Sequence, residues 1–300
     1  MQVLVFVKED FFVKYPRLLI SVLFFSLTLL GQLAQAEVDL LSPAPLRFLL
    51  TFDDGPSAAL EDNPTEKILT VLKNNPLQHD IKAIFFTQTR AKRGGGTEHG
   101  REVLKTVFDQ GHLLALHSAT PSHANHRYLS AEELEASLNL GINDLSQLTG
   151  VLPSLVRPPF WSYDERTFAS YQQHNLQMLL TDLSANDGVI YGINFSLTKR
   201  RNMRKLLLAL RPAWLAGELT SVDGATPIVV TFHDINSYTA NHMEEYLQIL
   251  VDVARELEMP TAPLVFYGDR VELEKAALSR TVKDASVKQN LPGVWNWIWN

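Results

Sequence analysis

The feature that most constrains the fold is an alternation of apolar runs with amphipathic stretches, which begins at Arg47 and continues to Tyr267. The apolar runs are short and continuous, which is typical of strands buried on both faces of a sheet. They predict strands at residues 46–52, 82–87, 112–116, 155–157, 176–182, 228–233 and 262–267. The amphipathic stretches predict helices at residues 63–73, 101–109, 131–148, from 164 onward, 197–210 and 241–257. Repeated strand-then-helix units predict a parallel sheet covered by helices, and about seven of them in one domain predict a closed or nearly closed α/β barrel.

The amino-terminal region has the pattern of a secretory signal. Lys14 and Arg17 precede an uncharged, predominantly apolar run at residues 18–30, and an Ala-Gln-Ala site follows at 34–36. A membrane-spanning helix needs about 20 apolar residues, so this shorter run favours a cleaved signal peptide at 1–36 over an uncleaved anchor. The expected mature domain is therefore 37–300, with its core at about 46–268, and the expected location is the periplasm or the medium, without a stable membrane anchor.

Composition excludes several classes of protein. The chain has no cysteine, so neither a disulfide framework nor a lipidated cysteine is available to it. The formal net charge is −6, and the one basic cluster, at residues 199–204, is short, which argues against a nucleic-acid partner. An acidic protein is not expected to adhere to an anionic polymer through its overall charge.

Polar residues capable of chemistry follow the predicted strands. In parallel α/β barrels the carboxyl ends of the strands meet on one rim, where active sites lie. The residues at these ends are Asp53, Asp54, His117, Arg157, Asp182, His233 and Asp234. A carboxylate and two imidazoles suit zinc or a similar divalent cation, with a position left for a nucleophilic water, and a second carboxylate could act as general base. Taken singly, an Asp-Asp-Gly-Pro run is commonly a turn and a lone histidine is commonly structural, so the prediction depends on the combination.

Four stretches in order give that combination a family resemblance. Residues 51–57 read Thr-Phe-Asp-Asp-Gly-Pro-Ser, 83–86 read Ala-Ile-Phe-Phe, 157–160 read Arg-Pro-Pro-Phe, and 232–234 read Phe-His-Asp. This pattern resembles the polysaccharide deacetylases, also called the NodB-homology or carbohydrate esterase family 4 enzymes. The resemblance covers roughly residues 47–267 and implies a distorted (β/α) barrel of about seven strands.

The resemblance also implies roles for individual residues. Asp53 would be the general base and His233 the general acid, while Asp54, His117 and a second histidine would hold the metal. Arg157 would orient Asp53, and the backbone N–H of Phe160 would help to stabilise the oxyanion. The implied cofactor is a divalent cation, zinc first, with cobalt or nickel as alternatives.

The second histidine is the first departure from the family pattern. The family spaces its two histidines four apart, but the residue four after His117 is Pro121. His123 and His126 are the remaining candidates. Counted back from the Leu-Ser pair at 129–130 that opens the next helix, His123 falls at the family's position. We therefore predict His123 as the third ligand, delivered by a bulge that includes Pro121.

The fourth motif is the second departure. The family's Asp-x-x-Asp-Trp is represented by Asp182-Leu-Ser-Ala-Asn-Asp187-Gly, which lacks the Trp that walls the acetyl site. Asp182 and Asp187 both stay open as the carboxylate that supports the catalytic acid. The predicted function is metal-dependent removal of acetyl groups from an N-acetylated sugar polymer such as peptidoglycan or a chitin-like oligomer. The alternatives are a non-catalytic carbohydrate-binding or assembly protein on the same barrel, and a hydrolase of another amide or ester.

Overall fold

A parallel sheet of eight strands is at the centre of the computed structural model, which describes residues 43–187 and 198–286. The strands are β1 Leu46–Asp53, β2 Ile84–Gln88, β3 Leu113–Ser118, β4 Leu155–Val156, β5 Gln177–Met178, β6 Leu183–Ser184, β7 Thr226–His233 and β8 Thr261–Phe266. All pairings between these strands are parallel, which confirms the predicted α/β barrel of the distorted type.

Eight helices in the described residues surround the sheet. They are α1 Pro64–Asn74, α2 Glu98–Asp109, α3 Ala131–Thr149, α4 Glu165–Gln173, α5 Lys199–Leu215, α6 Ser237–Asn241, α7 Met243–Glu256 and α8 Arg270–Ser279. Local caps explain several boundaries: Ser130 and Glu133 form a capping box that starts α3, and Gly150 ends this helix in the left-handed conformation. The basic cluster of residues 199–204 lies at the start of α5, where Arg200 and Arg204 pair with Glu256 of α7.

β1 is the central strand. The sheet order is β5-β4-β3-β2-β1-β7-β6, and β8 pairs with the first half of β1. The Phe52 ring of β1 stacks on Phe85 of β2 and on Phe232 of β7, with ring centroids 4.9 and 5.7 Å apart, respectively. Along the β1–β7 ladder, Asp53 stands directly opposite His233. The sheet register therefore brings two of the predicted catalytic residues side by side.

The predicted strand at 176–182 is wrong as a single element. The chain there forms β5, which pairs with β4, and then β6, which pairs with β7 on the other edge of the sheet. Between them residues 179–182 cross from one edge to the other: the amide of Leu179 donates to Val156, and the amide of Asp182 donates to Val229. Buried apolar residues occur in both short strands and in the crossing, namely Met178, Leu179, Leu180 and Leu183, so hydropathy does not show the change of partner.

Another prediction concerns residues outside the described ranges. The predicted signal peptide at 1–36 lies there. In the described part of the chain, no helix is long and apolar enough to cross a membrane.

Candidate active site

Three predicted metal ligands converge at the rim formed by the carboxyl ends of β1 and β3. Nε2 of His117 and Nε2 of His123 each lie 3.3 Å from Oδ1 of Asp54. One potential ligand atom from each residue lies within 4.8 Å of the other two. Two imidazoles and a carboxylate at this spacing form a donor set typical of a zinc-like cation with further positions open.

The hydrogen bonds around the two imidazoles fit such a cation. Nδ1 of His117 lies 2.8 Å from the carbonyl oxygen of Arg157, so the ring donates there and its Nε2 faces Asp54. Nε2 of His123 is buried and has no hydrogen-bond partner. A buried ring nitrogen without a partner costs free energy unless a ligand satisfies it. The arrangement therefore fits a bound cation better than it fits a purely structural cluster.

A short loop after β3 delivers His123. The hydroxyl of Thr120 accepts a hydrogen bond from the amide of Ala124 at 2.8 Å, which closes the loop over Pro121. His123 itself has a φ of +53°, a left-handed backbone conformation that is uncommon for residues other than glycine. Its ring stacks on Phe160, with centroids 4.6 Å apart and planes 21° apart. The loop thus has the bulged form that the sequence predicted, and Phe160 holds the imidazole in place.

His126 lies in the core instead of at the rim. It is fully buried, and Nδ1 lies 2.9 Å from the hydroxyl of Tyr171 on α4. Burial, with smaller contributions from the charges of His117 and His123, lowers the pKa of His126 to about 3, so the ring is neutral. Of the two candidate histidines, the structure brings only His123 into the cluster.

Asp54 is held as a carboxylate. Burial acts to raise its pKa, but the hydrogen bond with His117 and the charges of His233 and His123 outweigh burial and hold the pKa well below its usual range. Nε2 of Gln88 donates to Oδ1 of Asp54 at 3.2 Å. Gln88 was not among the residues predicted from the sequence, although it is a polar residue at the carboxyl end of β2, where the other site residues were sought.

Asp53 is paired with a fully buried arginine. Nη1 of Arg157 lies 2.7 Å from Oδ1 of Asp53 and 2.7 Å from the hydroxyl of Thr51. The guanidinium also donates to the carbonyl oxygens of Leu179 and Leu180, at 3.0 and 3.2 Å, in the crossing between β5 and β6. Arg157 therefore holds the Asp53 carboxylate in one position and also satisfies backbone carbonyl groups of the crossing.

His233 is paired with Asp187. Nδ1 of His233 lies 2.8 Å from Oδ1 of Asp187, and the backbone amide of His233 donates to Oδ2 of Asp187 at 2.9 Å. Thr239 also donates to Oδ2. Burial acts to lower the pKa of His233, but the charge and hydrogen bond of Asp187 outweigh it and raise the pKa to about 10. At neutral pH the imidazole is a cation, and its Nε2 lies 4.0 Å from Oδ2 of Asp54.

The structure corrects the prediction for Asp182. This carboxylate lies before β6, not after a strand, and it accepts from Arg280 at 2.7 Å and from the amide of Val229 at 2.9 Å. It therefore serves the crossing between the sheet edges, and Asp187 occupies the place beside the histidine. The prediction failed because the apolar run was read as one strand that ends at Asp182, whereas β6 ends at Ser184 and places the rim further along the chain.

Asp234, the other polar residue at the end of β7, is not part of the metal-ligand cluster. Its Oδ2 accepts from the hydroxyl of Thr65 at 2.8 Å, which ties the start of α1 to the rim. Burial raises the pKa of Asp234 to about 7. It supports the position of the rim loop and lies outside the predicted catalytic set.

Comparison with known sequences supports the resemblance described above. The sequence pattern of the family described as Polysaccharide deacetylase matches residues 43–179. Chitin deacetylase 1 of Saccharomyces cerevisiae is 30% identical over 137 residues, which are 46% of this chain and 39% of that protein. The peptidoglycan-N-acetylglucosamine deacetylase PgdA of Listeria monocytogenes is 24% identical over 235 residues, 78% of this chain and 42% of that protein. The chain thus spans about two fifths of the length of these relatives.

Solved structures share the fold. The chitin deacetylase from Colletotrichum lindemuthianum aligns with a TM-score of 0.53 and 21% identity, over 75% of this chain and 93% of that one. A family 4 acetyl xylan esterase from Clostridium thermocellum aligns with a TM-score of 0.52 and 19% identity, over 81% of this chain and 96% of that one. At these identities the likeness concerns the arrangement of strands and helices.

Proposed function

Because the chain belongs to the polysaccharide deacetylase family, we propose that it is a metal-dependent hydrolase that removes acetyl groups from an N-acetylated sugar polymer. The observation that carries the proposal is the convergence of three separate units on one rim. These are the cluster of Asp54, His117 and His123, the Asp53–Arg157 pair, and the His233–Asp187 pair. A base, an acid and a donor set for a cation are the parts that hydrolysis of an unactivated amide requires.

Asp54, His117 and His123 would hold the metal. A divalent cation, zinc first by ligand preference and cobalt or nickel as alternatives, would lower the pKa of a water and polarise the acetamide carbonyl when bound there. His126 takes no part, since Tyr171 and the core surround it.

Asp53 would take a proton from the attacking water. Its Oδ1 is engaged by Arg157, which fixes the plane of the carboxylate and leaves the second oxygen for the proton. The backbone N–H of Phe160 would donate to the carbonyl oxygen as negative charge develops on it.

His233 would donate a proton to the departing amine. The charge of Asp187 keeps the imidazole protonated, and the hydrogen bond to Nδ1 leaves Nε2 for the substrate. The C–N bond breaks, the sugar keeps a free amine and acetate leaves, so one water and one amide give one acid and one amine.

The substrate class follows from the relatives. Their names specify chitin and peptidoglycan N-acetylglucosamine, and we propose a β-linked polymer of N-acetylhexosamine units for this chain. Such polymers lie outside the cytoplasm, which agrees with the signal predicted at 1–36. Export would give a mature chain that starts at Glu37, and mass spectrometry of the mature protein tests this; an intact apolar segment would favour an anchor instead.

Acetate release tests the activity directly. The protein is incubated with chitin oligomers, peptidoglycan strands and acetylated xylan, first after chelation and then with zinc or cobalt restored. We expect acetate from N-acetylated polymers only in the presence of metal. Full turnover by metal-free protein would exclude this mechanism, and binding without acetate release would favour a carbohydrate-binding role.

A further inference from the structure

A cleft beside the candidate active site is not used by the proposed chemistry. Its volume is about 720 Å³. Leu104 of α2 and Leu145 and Leu148 of α3 give it an apolar lining, and the Gly-rich loop between β2 and α2 forms its other wall. A volume of this size accommodates a substituent of a sugar unit or a small molecule.

The cleft shares two walls with the rim of the barrel. Thr89 lines it and directly follows Gln88, which donates to the metal-ligand candidate Asp54. Pro121 lines it too, two residues before His123. The bulge that carries His123 to the cluster therefore also forms part of this cleft.

The charge of the lining is positive. Arg90 forms two hydrogen bonds of 2.8 Å with Asp144, so the charges of these two side chains neutralise each other. Lys92 and Arg101 also line the cleft. Among the described residues, neither of these two cations forms an ion pair with a carboxylate, so both charges are available to a ligand.

The loop that presents Lys92 is held in place by close backbone packing. A Cβ on Gly95 would lie 2.6 Å from the carbonyl oxygen of Gln88, and one on Gly96 would lie 2.7 Å from that of Arg90. Larger residues at these two positions would push the loop away. Arg101 donates to the carbonyl oxygen of Gly96 at 3.2 Å, which ties α2 to the same loop. The glycines thus have a packing role that their sequence did not indicate.

We propose that this cleft binds a carboxylate carried on a short hydrocarbon arm of a sugar unit adjacent to the one that is deacetylated. The inference rests on the proposed function and specifies its substrate class: an N-acetylated polymer with anionic substituents. Lys92 and Arg101 would contact the carboxylate, and the leucines would contact the hydrocarbon arm.

The combination of lining groups selects this chemistry. Two unpaired cations attract an anion, and an apolar lining disfavours a fully hydrated ion without carbon substituents. The chain as a whole carries a formal charge of −6, so an anionic polymer is repelled at long range. A local positive cleft is the feature that would let such a polymer bind in one register.

Matched substrates test the proposal. Peptide-free glycan strands with free lactyl carboxylates are compared with the same strands after conversion of the carboxylates to N-methylamides. Acetate release and equilibrium binding are both measured, for the metal-loaded wild type, for the Lys92→Gln/Arg101→Gln double variant and for Arg93→Gln. Arg93 is an exposed cation on the same loop that does not line the cleft.

We expect wild type and Arg93→Gln to favour the free carboxylate about tenfold in kcat/KM and in affinity, a difference of about 1.4 kcal/mol. The double variant should lose this preference and keep wild-type activity on the amidated strands. Equal binding of both strands by wild type, or an equal loss on both in the double variant, overturns the proposal. If no strand releases acetate but the preference in binding persists and depends on Lys92 and Arg101, the cleft is supported and the proposed hydrolase function fails.

Discussion

The two sides of the candidate site are held in different ways. On one side the base seam, formed by Asp53, Thr51 and Arg157, is fully buried and its polar groups are paired within the protein. On the other side the ligand loop, residues 119–125, carries His123 with a left-handed backbone and a buried ring nitrogen without a partner. The seam is complete as the chain folds, whereas the loop is complete only with a ligand. The fold alone thus orients Asp53, whereas the proposed metal site also needs the one ligand, His123, that this short loop supplies.

The largest expected effect concerns the base. Asp53→Asn should lower kcat for acetate release by about 10²- to 10⁴-fold, because an amide cannot take up the proton. Metal content, measured by mass spectrometry, should stay at the wild-type level because Asn at this position leaves the ligand set intact. Retained turnover would move the general base to another residue and remove the contrast between the two sides.

Breaking the seam should damage the fold. Arg157→Met leaves the Asp53 carboxylate buried without a partner and should reduce the free energy of unfolding by about 3–5 kcal/mol, as measured by urea denaturation. The control is Arg204→Met, which removes an exposed pair with Glu256 and should cost about 0–1 kcal/mol. Equal costs in the two variants would mean that the seam is not the stabilising unit described above.

Changing the loop should affect metal binding and spare the fold. His123→Ala should weaken metal affinity by about 100-fold or more, because one of three protein ligands is lost. His126→Ala should keep that affinity and lower the free energy of unfolding, since it leaves a cavity beside Tyr171. Titration calorimetry with zinc separates the two. Loss of metal from His126→Ala alone would show that the register assigned to the loop is incorrect.

A smaller loss of activity is expected when Asp187, the partner of the proposed acid His233, is changed. A hydrogen bond to a charged group contributes about 1.5–3 kcal/mol, so Asp187→Asn should lower kcat by about 10- to 100-fold. Asp182→Asn is the matched control, because Asp182 pairs with Arg280 away from His233. The measurement is acetate release under saturating substrate, and a larger loss in Asp182→Asn would reverse the assignment.

A further effect concerns the response of a buried histidine to acid. His112 accepts a hydrogen bond from the amide of Ala83, and burial, with the charge of Lys82, lowers its pKa to about 3. Between about pH 6.5 and pH 3 the unfolded chain binds a proton at this position that the folded chain does not. Stability should therefore fall as the pH falls through this window.

The corresponding variant is His112→Gln. It should flatten the fall in stability by at most about 1.4 kcal/mol for each pH unit, as measured in urea from pH 7 to pH 4. An unchanged slope would mean that His112 is not held neutral by the fold.

The sequence predicted the alternation of strands and helices because buried parallel strands leave continuous apolar runs. It did not predict the division of 176–182 into β5 and β6, because a change of ladder partner alters hydrogen bonds and leaves hydropathy unchanged. For the same reason, the sequence did not decide whether Asp182 or Asp187 lies beside His233. The bulge at Pro121 was predictable from register, since a fixed helix start at Ser130 allows the loop to be counted backwards.

Two features of the site region could not be predicted from the sequence. Gln88 carries no motif of its own, and only the shared carboxyl edge of β1 and β2 reveals its contact with Asp54. The cleft beside the rim depends on residues from a loop and two helices that are separated along the chain, such as Lys92, Arg101 and Leu148. No local pattern marks residues that meet only after the helices have packed.

The guanidinium of Arg157 connects segments that are far apart in the chain, namely residues 51–53 of β1 and the carbonyl groups at 179–180. A chain that has formed only its first half holds Asp53 but has no 179–180 segment to seat the arginine. The position of the guanidinium beside Asp53 therefore depends on the crossing from β5 to β6 as well as on β1. A chain truncated before residue 179 would keep both Asp53 and Arg157 but would lack the two backbone carbonyl groups that fix the guanidinium.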